Sequence, residues 1–298
     1  MTGNTALKLL FVINPKAGPD HIPWQEIIRN YFTGKDHIIN YFLLDKNLGP
    51  EELNKQIEEG SPDRVIAVGG DGTVGFVAKQ LGNSKIAMGI LPAGSANGMA
   101  KELNISDDPE EALAIIESGE IKCCDAIKIN DKDICLHLSD IGLNAQLIKY
   151  FNEGKLRGKL GYARVLLKTL WYREKRPVTI QTKNEEIRRN AFMVVLANAS
   201  KYGTGAVINP LGQLDDGEFE VVIVRKLALS ELLKMIFRWR RFDPKKIEIF
   251  PATSVKMQTL KKVHFQIDGE YMGKITSLNA SILPGYINII LPKSKIEE

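Results

Sequence analysis

The chain is poor in the features that would place it in a specialised class. It has no uninterrupted apolar run of about 18 residues, so the sequence offers no membrane-spanning helix. Its three cysteines, Cys123, Cys124 and Cys135, are odd in number and lack metal-ligand spacing, which excludes a disulfide scaffold or a zinc module. They suit a reducing compartment as small core residues. Lys and Arg number 40 against 36 Asp and Glu, a net charge of only +4. That balance does not call for a nucleic-acid partner, although clustered cations would favour other anions. Only Lys8 precedes the first apolar stretch, with no small-residue cleavage site after it, so the reading is of a cytoplasmic protein without a secretory signal. No internal repeat or low-complexity segment is present beyond a charged tail from Lys293 to Glu298.

What is present is a strand-to-glycine transition at Val65-Ile66-Ala67-Val68-Gly69-Gly70-Asp71-Gly72-Thr73. Four apolar, mostly β-branched residues predict a buried strand. Apolar residues resume at helical spacing at Val74, Phe76, Val77 and Leu81. A glycine turn between a strand and a helix start suits a phosphate group, because backbone N–H groups can approach it and the helix N-terminus favours anions. Glycines 69, 70 and 72 are expected to allow positive φ and close approach. Thr73 can donate a hydroxyl to phosphate, while Asp71, acceptor-only when ionised, needs a cation or a hydroxyl as partner.

Around this element the chain alternates. Residues 7–13 read as a strand, Trp24 to Phe32 as a helix, 37–44 as a strand, 50–59 as a helix opened by Pro50, and 86–91 as a further strand. This rhythm predicts an α/β, doubly wound parallel sheet, whose ligands bind at the C-terminal strand ends. Three polar loops fall there: Asn14-Pro15-Lys16-Ala17-Gly18, the glycine turn, and Pro92-Ala93-Gly94-Ser95-Ala96-Asn97. In the first, Asn14 and Lys16 suit phosphate oxygens and Gly18 opens the turn. In the third, Gly94 and Ser95 offer an N–H and a hydroxyl at the next helix start. Past residue 120, short apolar runs separated by turn signals (Asn130-Asp131, Lys183-Asn184, Asp216-Gly217, Pro284-Gly285) predict an antiparallel β-sandwich with helical inserts at about 159–175 and 230–241.

Taken together, these loops resemble the diacylglycerol kinase catalytic domain family, which includes sphingosine, ceramide and bacterial soluble lipid kinases. The family's N-P-x-x-G, G-G-D-G-T and P-x-G-[TS]-x-N stand at 14–18, 69–73 and 92–97. Its second-half motifs are matched by Ala197-Asn198, Tyr202 to Gly205, Leu214-Asp215-Asp216-Gly217 and Asp268-Gly269-Glu270. The resemblance covers nearly the whole chain. It implies an NAD kinase/diacylglycerol kinase-like fold with a nucleotide-binding domain at 1–125 and a lipid-substrate domain at 126–298, the last strand being free to return to the first domain.

The activity implied is transfer of phosphate from ATP, with Mg²⁺, to a lipid hydroxyl, diacylglycerol-like before sphingoid or ceramide. Asp71, Asp268 and Glu270 become the catalytic carboxylates: Asp268 or Glu270 as base with Asp71 near metal and phosphates, or the reverse. Asp125 and Asp216 become metal-site residues, and Asn144 falls in a stretch near the lipid head group. Three positions depart from the family: Gly98 where relatives often carry Asp, Leu44 where a Thr is expected, and Asn144 where relatives often carry Asp. A neutral Asn144 weighs against an amino-alcohol substrate. An NAD kinase-like soluble nucleotide kinase and a non-catalytic nucleotide or lipid sensor are the alternatives, and the sequence leaves a homodimer open.

The cations are clustered. Nine basic residues between Lys149 and Arg176 face two acidic ones, a local net charge of +7. Arg157, Arg164, Lys168 and Lys175 would lie within about 40° of one another on a helix. With Leu160, Leu167 and Trp171 nearby, this reads as a surface for peripheral attachment to an anionic membrane. Lys155 and Arg157 are also candidates for ATP phosphates.

Overall fold

The computed structural model describes residues 6–18, 22–45, 48–153, 174–202, 205–226, 231, 234 and 242–293. The chain divides into two units: residues up to Cys124 together with those from Gly285 onward, and Asp125 to Pro284. The expected inserts at 159–175 and 230–241, with Arg157, Arg164 and Lys168, fall largely or wholly outside the described residues. Among the described residues, no helix is long and apolar enough to cross a membrane.

The first unit contains β1 (Lys8–Ile13), α1 (Trp24–Phe32), β2 (Ile38–Leu43), α2 (Pro50–Gly60), β3 (Arg64–Gly69), α3 (Asp71–Leu81) and β4 (Ala87–Pro92). The strands pair in parallel in the order β4-β3-β1-β2. Leu9 to Val12, Val65 to Val68 and Met88 to Leu91 are buried or nearly so, the pattern of strands covered on both faces. The doubly wound sheet anticipated from the alternation is present. It gains a fifth parallel strand from the far end of the chain, where Asn288 and Ile289 pair with Ala87 and Met88.

Two helices follow β4: α4 (Gly98–Glu102), the helix start expected after the third loop, and α5 (Pro109–Ser118), which the expected alternation did not include. The signal for α5 was nonetheless in the sequence. Asp108 accepts from the N–H groups of Glu110 and Glu111, both at 3.0 Å, and Pro109 occupies the first helical position.

The second unit is antiparallel. It comprises β5 (Glu120–Ile129, which enters it at Asp125), β6 (Asp133–Cys135), β7 (Leu138–Gly142), α6 (Leu143–Glu153), β8 (Arg176–Thr182), β9 (Glu186–Ala191), β10 (Met193–Ala197), β11 (Phe219–Val224), β12 (Ile247–Ala252), β13 (Ser254–Ile267) and the first part of β14 (Glu270–Leu291). The path of pairing is β12-β11-β10-β7-β13-β14, with the β8–β9 hairpin on β13. Alternate residues of β10 and β11 enter two cores. Val194, Leu196, Phe219 and Val221 join one, and Met193, Val195, Val222 and Val224 the other. Burial on both faces is why these strands read as unbroken apolar runs.

β13 runs on through an irregularity between Gln258 and Val263. One expected break is absent. The Pro284-Gly285 pair, read as a turn, lies inside β14, where Gly285 takes φ +60 and the strand continues.

Asp108→Ala should destabilise the first unit by about 1 kcal/mol through loss of the α5 cap. Urea unfolding followed by tryptophan fluorescence of Trp24, which is buried in that unit, measures it.

Candidate active site

In the first unit, β1 lies between β2 and β3. The winding of the sheet reverses there, so the loops that follow β1 and β3 open at the switch point where such sheets take ligands. The Asn14 N–H continues the ladder to Val68 O (3.0 Å), and its side chain then ties the two loops together. Its Oδ1 accepts from Lys16 N (3.0 Å) and its Nδ2 donates to Thr73 Oγ1 (3.3 Å). Thr73 is buried and its hydroxyl faces Asn14, whereas Pro15, Lys16, Gly72 and Ser95 are exposed. A cavity of about 580 Å³ adjoins the first loop, lined among others by Asn14, Pro15, Trp24, Arg29 and Leu43.

Of the two reasons expected for the glycines of the second loop, positive φ does not apply. None of Gly69, Gly70 and Gly72 has positive φ, and Gly70 is extended at φ −92. Close packing is the constraint. A Cβ on Gly69 would lie 2.2 Å from Thr73 Oγ1, and one on Gly94 would lie 2.5 Å from the Gly70 Cα. The second and third loops therefore touch backbone to backbone. Gly18, by contrast, does need its positive φ of +86.

Asp71 joins the same two loops. Its Oδ2 accepts from Gly98 N (2.9 Å) and its Oδ1 from Met99 N (3.0 Å). It thereby fills the N-terminus of α4. The Gly94 N–H is likewise taken, by Asn97 Oδ1 at 2.8 Å. Asn97 sits at φ +50 and donates to Asp107 Oδ1 (3.3 Å). Of the third loop's donors offered above to a phosphate, the Gly94 N–H is thus spent internally, while the Ser95 hydroxyl is exposed. The N-terminus of α3 differs: its cap is Gly70, which supplies no side-chain acceptor. The N–H groups of Asp71 and Gly72, ahead of the Thr73 N–H that bonds Gly70 O (2.9 Å), are the ones placed to meet an anion.

In the second unit, Asp268 and Gly269 form the two-residue turn between β13 and β14, with φ +47 and +85 and Ile267 opposite Glu270. Positive φ at both central residues is the primed turn that an Asp-Gly pair favours. The two flanking carboxylates have opposite environments. Four donors converge on Asp268: Leu136 N on Oδ2 (2.9 Å), and His137 N (2.9 Å), Leu138 N (3.1 Å) and Cys135 Sγ (3.2 Å) on Oδ1. That is about the full acceptor capacity of a carboxylate. Burial raises its pKa against the pull of these bonds. Burial and the adjacent Asp268 push the Cys135 thiol well above its ordinary range, so it remains a donor. Glu270 is exposed, with no hydrogen-bond partner among the described residues.

Asp125 is buried, donates its N–H to Leu214 O (2.6 Å) and accepts from Gly217 N (2.7 Å). Asp216, exposed on the same turn, accepts from Glu218 N (3.1 Å). The two metal candidates therefore meet at one loop, Asp216 on it and Asp125 bonded to it from β5. Among the described residues, no group of three or more His, Cys, Asp or Glu side chains is placed to hold a metal ion. Mg²⁺ in phosphate sites is held by one or two carboxylates with the rest supplied by phosphates and water, so the carboxylates present fit that mode.

Asn144 points inward and donates to Asp140 Oδ2 (2.6 Å). Asp140 and Gln266 were missed in the sequence. Asp140 is 1% exposed and also accepts from Ala145 N (2.9 Å) and Gln266 Nε2 (2.5 Å). Burial pushes its carboxyl up to about 6 against these three bonds. The signal available was a lone carboxylate inside an apolar strand.

Family models match both parts of the chain. The diacylglycerol kinase catalytic domain covers residues 8–129, and the YegS C-terminal NAD kinase beta sandwich-like domain covers 139–291, just over half of the chain. The sequence is 26% identical to a diacylglycerol kinase of Bacillus subtilis over 249 residues, 79% of this chain and 80% of that protein. The fold is similar to a crystal structure of a diacylglycerol kinase from Bacillus anthracis, with a TM-score of 0.72, 19% identity and 96% and 97% of the two chains covered. It is also similar to an Archaeoglobus fulgidus NAD kinase solved with ATP, with a TM-score of 0.55, 12% identity and coverage of 95% and 93%.

Because the folded pKa of Asp140 lies above its unfolded value of 3.8, its contribution to stability is greatest at low pH and is lost as pH rises through about 6. Between pH 7 and pH 5 the wild-type sandwich should gain about 1 kcal/mol relative to Asp140→Asn. Denaturant melts of both proteins at the two pH values measure this gap.

Proposed function

Because the chain belongs to the diacylglycerol kinase catalytic domain family and is a lipid kinase, we propose that it transfers the γ-phosphoryl group of ATP to the hydroxyl of a diacylglycerol-like lipid. The observation that carries this reading is the convergence of the first two loops at the switch point of the sheet, beside the uncapped N-terminus of α3. Those backbone donors, with Lys16, suit a polyphosphate. Phosphoryl transfer asks mainly for positioning and charge neutralisation, which such a cradle supplies.

The free acceptor positions divide the carboxylates. Asp268 has four donors on it and takes a structural role. Glu270, exposed and unengaged, is the base that accepts the proton of the lipid hydroxyl. Asp71 accepts one N–H on each oxygen, which leaves about half of its acceptor capacity for Mg²⁺. We assign Asp71 to the Mg²⁺ that would neutralise charge on the phosphates, and Asp125 with Asp216, which meet at one loop of the second unit, to a separate metal ion. Asn144 gives its amide to Asp140, so its side chain offers no carboxylate to a substrate ammonium. That favours a neutral diacylglycerol-like acceptor over a sphingoid base. The basic stretch from Lys149 to Arg176, including Arg157, Arg164 and Lys168, is assigned to the anionic surface of the membrane holding the lipid, on the cytoplasmic side.

The test is transfer of label from γ-labelled ATP, with Mg²⁺, into diacylglycerol, ceramide and sphingoid base on anionic vesicles, with NAD as a soluble acceptor. Labelled diacylglycerol is expected. Label only in NAD, or in nothing, would overturn the reading. Glu270→Gln should lower kcat about 10²- to 10⁴-fold with little change in KM for ATP. Gly94→Ala should instead weaken ATP binding by forcing the second and third loops apart, read as lost thermal protection by ATP.

A further inference from the structure

A chain of buried side chains runs from the start of α6 to the turn that carries Glu270. We propose that Asp140 and Gln266 are positioning residues for the reaction: Asp140 fixes which way the Gln266 amide faces, and Gln266 thereby holds the Asp268–Glu270 turn in its working geometry. This rests on the lipid-kinase reading above and on the role given there to Glu270.

Gln266 is 1% exposed and touches three groups. Its Nε2 donates to Asp140 Oδ2 (2.5 Å) and to Leu138 O (3.3 Å), and its Oε1 accepts from Gly269 N (2.8 Å). A primary amide has a donor end and an acceptor end of nearly equal size, and only its partners decide between them. Here all three partners favour the same orientation, and Asp140 supplies the charged one. An ionised carboxylate and a carbonyl can both only accept, so they take Nε2. Oε1 is then left facing the Gly269 N–H. In the reversed orientation, Oε1 would oppose two acceptors and Nε2 would oppose an N–H. All three contacts would fail together.

Asp140 is itself held by Asn144 Nδ2 and by Ala145 N in the first turn of α6. Capping Ala145 would need only a hydroxyl or an amide oxygen at position 140. An acceptor-only group is needed for the Gln266 end. The rest of its surroundings are uncharged: Val195 lies opposite on β10, and Gln266 opposite on β13. Placing a carboxylate there raises its pKa, a cost that an apolar residue would avoid.

The turn has little else to fix the plane of its second residue. Asp268 is anchored by its side chain and by its N–H to Leu138 O (2.9 Å). Gly269, with open space where a Cβ would lie, is held through its N–H by Gln266. Glu270 follows immediately. It is held on the ladder opposite Ile267 on one side and reached through the Gly269 peptide on the other, so the Gln266 bond bears directly on its placement.

The experiment compares Asp140→Asn and the volume-conserving Gln266→Met with wild type. Each variant should lose roughly 10²-fold in kcat, the scale of a small misplacement of a reacting group, with KM for ATP unchanged. Neither should lower kcat further in a Glu270→Gln background, because the effect is exerted through Glu270. Independently of turnover, hydrogen exchange read by NMR should show the Gly269 amide protected in wild type and at least about tenfold less protected in either variant. Folded variants with wild-type kcat, losses that multiply with Glu270→Gln, or an unchanged Gly269 amide would overturn the proposal. Failure of both variants to fold would also overturn it, by showing a role in stability alone. A wild-type protein that labels no lipid defeats the lipid-kinase reading instead, and the exchange measurement then decides this one by itself.

Discussion

One kind of interaction recurs in both units: a carboxylate in or just past a strand that accepts backbone N–H groups from a loop or a helix start. Asp71, just past β3, captures the start of α4. Asp125 captures the turn at Gly217. Asp140 captures the start of α6, and Asp268 captures the link between β6 and β7. Each bond satisfies donors that a loop would otherwise leave unpaired, and each fixes a loop without enclosing it in a core. Remove any of these side chains and the loop it holds loses its reference point, while the sheets behind remain.

This shared use explains how acidic residues in one chain come to have different chemical standing. A carboxylate has about four places to accept a hydrogen bond. Asp268 has filled them, Asp71 has filled half, and Glu270 has filled none among the described residues. The number of places left over decides which group remains available to a proton or a cation. Motif position alone cannot distinguish Asp268 from Glu270, because they stand two residues apart on one hairpin and differ only in which way their side chains face.

The architecture was legible because periodicity reports burial. The parallel sheet appears in the alternation of apolar runs with helical faces, and the sandwich in its short strands and turn pairs. The family motifs likewise led to the correct family. What stayed hidden depended on tertiary contacts. The glycines at 69, 70 and 94 are explained by what packs against them, which no local pattern records. Pro284-Gly285 carries a turn signature yet lies within a strand, since its neighbours on both sides keep pairing. Gln266 looks like any polar residue in a strand until the strand beside it is known. Asp140 could have been singled out earlier, as an ionisable group flanked by Leu138, Ile141 and residues that are otherwise apolar or small.

The end of β14 has a consequence for how the molecule is made. Residues 288 and 289 supply the fifth strand of a sheet whose other four strands are complete by residue 92. Nearly two hundred residues, a whole sandwich among them, leave the ribosome before that strand exists. Until then β4 is an edge, apolar on both faces and with an unpaired row of backbone groups, open to pairing with the wrong chain. The first unit can therefore complete its sheet only after the second has been synthesised. A chain cut short of residue 288 would leave that edge of β4 unpaired.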